Sequence, residues 1–179
     1  VLFRSLNPFF VMFPDEAVAA AQAAEDTVMS GGALGALHGL PMSVKDLISV
    51  GDAPFAFGSR VMAENIAPDD APAVERARAA GAIVIGKTTT SEFGCKPVGD
   101  SPLTGVTRNP WNRDKTPGGS SAGAGASIAA GVTPFGLGTD GGGSIRIPCS
   151  LTGLAGIKGS FARVPVRSEE HTSELQSPD

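Results

Sequence analysis

Residues Thr116 to Pro148 read TPGGSSAGAGASIAAGVTPFGLGTDGGGSIRIP. Two glycine-framed serine sites, Gly118-Gly119-Ser120-Ser121 and Gly141-Gly142-Gly143-Ser144-Ile145-Arg146, bracket the stretch. Between them, Ser120–Ala130 has the small-residue composition of a closely packed helix, and Pro134–Thr139 is a short apolar run of strand length. Glycines directly before a serine free the backbone for unusual φ/ψ. They also let main-chain N–H groups converge on one point, which suits an anion hole better than a packed core.

The same helix-then-strand order recurs on either side. Asp70–Gly81 carries an acidic N-cap candidate in Asp70, Pro72 near the first turn, and Arg76 and Arg78 ahead of Gly81. It runs directly into Ala82–Ile85, an apolar run that reads as a buried parallel strand. Asp15–Ser30 is alanine-rich, acidic at its start and stopped by Gly31-Gly32, which predicts a helix. Leu40–Val50 is strand-like, with Lys45-Asp46 interrupting its apolar pattern. A further helix is expected from Ser144 and a strand near Leu154–Lys158. The alternation predicts an α/β fold with a mixed, mostly parallel central sheet flanked by helices.

The 179 residues are enough for one domain with a real core. With 41% hydrophobic residues, the longest apolar runs fall well short of a membrane span. A net charge of −4 and 14 Lys+Arg argue against a nucleic-acid surface. Cys95 and Cys149 fit no metal-ligand spacing and read as free thiols of a cytoplasmic protein.

Three motif matches mislead. Gly81–Thr88 (GAIVIGKT) satisfies the phosphate-loop pattern, but its four middle residues form the expected strand instead of a loop. Gly136–Gly141 (GLGTDG) satisfies a dinucleotide fingerprint, yet no Asp or Glu follows in the next 20 or so residues, where the ribose partner belongs. Gly119–Gly123 (GSSAG) satisfies the nucleophile elbow around Ser121 without the apolar strand that should precede it.

A serine nucleophile needs an adjacent base. The histidines are His38, upstream of both serines, and His171, in a tail that reads as foreign. A lysine held neutral by desolvation is the remaining base. Lys45, inside an apolar run, is the best placed, with Lys87 the nearest rival.

Several segments in order resemble the amidase signature family. They are GLPMSVKD at Gly39–Asp46, VIGKTTTSEFG, GVTRNPWN, PGGSSAG, GLGTDGGGSIRIP and GLAGIKG. The resemblance spans Ala33 to Pro165. It implies a Ser–cis-Ser–Lys triad in which Ser144 is the nucleophile, Ser120 the proton relay and Lys45 the general base. It further implies a cis peptide after Gly119 and an oxyanion hole from the N–H groups of Gly141, Gly142, Gly143 and Ser144. Ser121, Asp140 and Arg146 would then support the site. The substrate would be a small-molecule amide, with no metal or cofactor, and the longer protein could form a homodimer. Ala122 stands where the family pattern GGSSGG has a glycine.

Two other readings compete. One is the amide-hydrolysing subunit of a tRNA-dependent amidotransferase, whose TNMDEF-like segment appears here as Thr88–Phe93, TTTSEF. The other is a phosphate- or nucleotide-binding module built on Gly81–Thr88.

Residues 1–5 (VLFRS) and 167–179 (RSEEHTSELQSPD) resemble translated sequencing-adapter read-through on opposite strands. On that reading residues 6–166 are a partial amidase domain cut from a longer protein, with His38 its one native histidine. The isolated chain is then expected to lack the activity of its parent.

Overall fold

The computed structural model describes residues 5–165. The residues read as adapter-derived, Ser5 apart, and Val166 lie outside them. Four strands form the central sheet: β1 (Phe9–Met12), β2 (Pro41–Lys45), β3 (Ile83–Thr88) and β6 (Phe135–Leu137), in the order β1-β3-β2-β6. β3 and β6 run parallel to β2, whereas β1 joins the β3 edge antiparallel. β1 was not anticipated, because a four-residue apolar run says nothing of its ladder partner until β3 is in place. A separate two-stranded ribbon joins β4 (Asp100–Ser101) and β5 (Gly105–Val106).

The helices form close to where the sequence places them. α1 (Pro14–Met29) starts on Pro14, carries Asp15 and Glu16 in its first turn, and is followed by Gly31 at φ 73°. It buries none of its residues. α2 (Pro72–Ala79) buries Val74 and Ala77 against a core of Met42, Val44, Ile48, Val50 and Val84. Asp70 is not its N-cap. Ala71 holds that position, while Asp70 accepts Gly51 N–H at 2.8 Å and pairs with Arg78 Nε at 2.9 Å.

α3 (Ala122–Ala129) is buried from Ala122 to Ser127. Its small residues permit this depth: a Cβ at Gly123 would strike Pro8 O and lie 2.5 Å from Thr89 N. α4 (Arg146–Thr152) closes the described fold and ends on Gly153 in the left-handed region, φ 74°. No strand forms near residues 154–158. Ile157 is 88% exposed, and the segment has no ladder partner among the described residues. An apolar run becomes a strand only where a neighbour offers its backbone groups.

Candidate active site

The site lies at the carboxyl ends of the parallel strands, the usual crevice of an open α/β sheet. Lys45 is the last residue of β2, and Thr139 lies two residues beyond β6. Ser120 lies in the turn ahead of α3, where the Gly119–Ser120 peptide is cis, as the resemblance implies. The Lys45 Nζ is 2.7 Å from Ser120 Oγ and 2.7 Å from Thr139 Oγ1. Lys45 is fully buried. Desolvation lowers its pKa from 10.5 to about 7, against the opposing charge of Asp140. A neutral amine is therefore accessible near neutral pH and able to accept a proton from the hydroxyl it touches.

Lys87, the rival candidate, lies on the other side of the pleat. It pairs in register with Val44, so it leaves the sheet on the face opposite Lys45. There its Nζ lies 3.1 Å from Asp46 Oδ1, 3.1 Å from Pro54 O and 4.8 Å from the centre of the Phe55 ring. Burial pulls Lys87 down and Asp46 up, and each is held back by the other's charge. The adjacent pair Lys45-Asp46 is thus split between two faces, each residue with its own partner.

Asp140 organises the second serine loop. Its side chain is fully buried and accepts from Gly143 N–H (2.7 Å), Ile145 N–H (3.0 Å) and Arg146 N–H (3.1 Å). Arg146 adds a two-pronged contact through Nε at 3.0 Å and Nη2 at 2.9 Å. Burial alone would raise the Asp140 carboxyl, but these five donors hold it well below the usual carboxylate range. Gly141 and Gly142 stand exposed, with open space beside their α-carbons. Gly143 N–H is committed to Asp140 in this conformation.

Ser144 is half-buried in this loop. Its carbonyl accepts Ser121 N–H at 3.2 Å, which ties the loop to the residue after Ser120, while Ser121 Oγ donates to Thr139 O at 3.3 Å. The Ser120 and Ser144 hydroxyls are not hydrogen-bonded to each other among the described residues. Folding therefore brings Lys45 and Ser120 into contact and links Ser144 to them through backbone. Thr139 was missed by sequence reasoning. Its only signal was a hydroxyl at the end of the expected strand, directly before Asp140.

None of the misleading motifs survives. Ile83 to Ile85 of the phosphate-loop match lie in β3 and its Lys87 is ion-paired, while the dinucleotide match leads into the Asp140 loop. Among the described residues no cluster of three metal-ligating side chains forms and no helix is long and apolar enough to cross a membrane.

The mixed α/β sheet thus presents a buried lysine in contact with a cis-linked serine at the carboxyl ends of its parallel strands. The family model named Amidase matches residues 3–177, and the chain belongs to that family. It is 43% identical over 169 residues to the indoleacetamide hydrolase of Bradyrhizobium diazoefficiens, covering 94% of this chain and 32% of that protein. It is 41% identical over 160 residues to a glutamyl-tRNA(Gln) amidotransferase subunit from Chloroflexus aurantiacus, covering 89% of this chain and 33% of that protein. Among solved structures, a bacterial aryl acylamidase of the amidase signature family superposes with a TM-score of 0.88 at 35% identity, covering 93% of this chain and 35% of the other. The chain thus spans about a third of the length of the curated relatives it matches.

Proposed function

We propose that this segment carries the catalytic centre of a longer amidase that hydrolyses the C–N bond of a carboxylic amide through a serine acyl-enzyme. The observation that carries the reading is the 2.7 Å contact between the buried, partly neutral Lys45 amine and Ser120 Oγ. Lys45 acts as general base. Ser120 passes it the proton of Ser144, whose Oγ attacks the amide carbonyl to give a tetrahedral oxyanion. The C–N bond breaks as the relay returns the proton to the departing amine or ammonia, and water then hydrolyses the ester by the same route. Thr139 Oγ1 holds the Lys45 amine in place from a second side.

Backbone donors at Gly141, Gly142 and Ser144 supply the oxyanion hole. Gly143 N–H joins them only if it leaves Asp140. One such donor is worth on the order of 10²–10³ in rate. Asp140 and Arg146 set the loop, and Gly119 and Ser121 set the backbone on either side of the relay serine. The reaction as drawn uses side chains and water alone. Two unpaired cysteines, one of them exposed, support a reducing compartment such as the cytoplasm. The net charge of −4 supports a small-molecule substrate over a nucleic acid, and a homodimer of the longer protein remains part of the proposal.

A fluorophosphonate probe on the full-length protein tests the reading. Covalent labelling at Ser144, abolished by Ser144→Ala, is the expected result. Nucleotide-dependent stabilisation without labelling would replace it with the binding-module reading. The 41% identity to one chain of an amidotransferase supports a second reading, an amide-hydrolysing component that works with partner chains. Labelling of the purified protein together with hydrolysis of free amides, in the absence of any other chain, favours the stand-alone amidase.

A further inference from the structure

Behind the site, the buried Asp46–Lys87 pair is left unused by the mechanism above. Asp46 Oδ1 accepts Ala56 N–H and Oδ2 accepts Gly58 N–H, each at 3.3 Å. Those two donors flank Phe57, which sits at φ 54°. Its carbonyl accepts Phe93 N–H at 2.8 Å, and Phe93 is itself at φ 50°. The two rings stack with centroids 6.1 Å apart. A second link, Ser59 Oγ to Glu92 Oε1 at 2.8 Å, fastens the same two turns. The next residue, Gly94, faces Ser120 so closely that a Cβ there would lie 3.3 Å from Ser120 Oγ and 2.8 Å from Leu47 Cδ1.

Left-handed backbone is a genuine outlier for a phenylalanine. Two of them in contact, joined by a hydrogen bond and a ring stack, need surroundings that over-determine both. The carboxyl group beneath Ala56 and Gly58 supplies that constraint, and Lys87 holds it in place at 3.1 Å. Residues adjacent in sequence thus reach Ser120 from two directions: Lys45 by its amine, and Asp46 through the Phe57–Phe93 turn.

We infer that Asp46, held by Lys87, is a positioning residue that sets the Ser120 hydroxyl by fixing the Phe57–Phe93–Gly94 turn that lies beside it. This rests on the serine–lysine reading above. The role is geometric, because the pair lies on the sheet face opposite the Lys45 amine and the charge acting on Lys45 is that of Asp140.

The test removes the charges together. In the full-length protein, Asp46→Asn combined with Lys87→Met leaves no unpaired buried charge, so folding stability is largely kept. The asparagine has only one acceptor oxygen for two N–H groups, so the turn loosens. Fluorophosphonate labelling of Ser144 should slow on the order of 100-fold, the scale of an ångström-sized misplacement, with its pH midpoint unmoved. An unchanged rate in a stable double variant would overturn the inference, and so would a shifted midpoint, which would mean that the pair acts on the Lys45 charge. Should the double variant not fold, Ser59→Ala decides. Loss of its link to Glu92 should slow labelling roughly 3- to 10-fold at constant midpoint, by the same misplacement argument, and an unchanged rate refutes the inference. If the parent protein is not labelled at Ser144, the serine–lysine reading fails first and takes this inference with it.

Discussion

Replacing Lys45 by methionine separates what the lysine costs the fold from what it does for the chemistry. The fall of its pKa from 10.5 to about 7 corresponds to ~5 kcal/mol against the charged form in the folded state. Below pH 7 both folded and unfolded chains carry the proton, so that cost is present in full. Between about 7 and 10.5 the unfolded chain holds a proton that the folded chain has released, and stability therefore rises with pH through this window. Lys45→Met removes the penalty but loses the hydrogen bonds to Ser120 and Thr139, at about 1 kcal/mol each. The variant should thus be more stable than the parent by ~3 kcal/mol at or below pH 7, with the advantage gone by pH 10.5.

Urea unfolding at pH 6, 8 and 10 reads that difference. Labelling of the parent by fluorophosphonate should rise with pH through a midpoint near 7 as the amine becomes neutral, and the variant should not label. A methionine variant less stable than its parent at pH 6, or a parent labelling rate that is flat from pH 6 to 10, would refute the desolvated-base argument.

Two further outcomes follow from the packing. Asp140→Asn removes the charge that raises the Lys45 pKa and at least one acceptor from the Ser144 loop. The labelling midpoint should move to lower pH while the plateau rate falls at least tenfold, both visible in one pH series. Gly123→Ala drives a methyl group into Pro8 O and the backbone of Thr89. It should destabilise the chain by ~2–3 kcal/mol, as overpacking of a tight site does, measured as a lower urea midpoint at unchanged slope.

The helices were legible because their signals are local: acidic residues at the start of one and Pro72 at the first turn of another, glycines after the last turns, and small residues between. Lys45 stood out as a candidate base by elimination and by resemblance, since an amine inside an apolar run has to be either paired or neutral. Elimination alone left Lys87 as a rival, and no local pattern separates them. The pleat separates them, putting the two amines on opposite faces and leaving Asp46 to just one of them. Thr139 beside Lys45, β1 on the sheet edge, and Asp70 pairing with Arg78 instead of capping its helix were likewise settled by what lay across the fold.

Residue chemistry by itself offered two glycine-framed serine sites and a lysine as candidate materials of a site, because such hydroxyls without a usable histidine leave few other chemistries, and the family resemblance singled out Ser120 and Ser144. Which of the two lysines touches a serine, and at what distance, was set by tertiary structure. Desolvation and ion pairing depend on neighbours that lie far away along the chain, and for Lys45 the nearest of them, Ser120, comes 75 residues later.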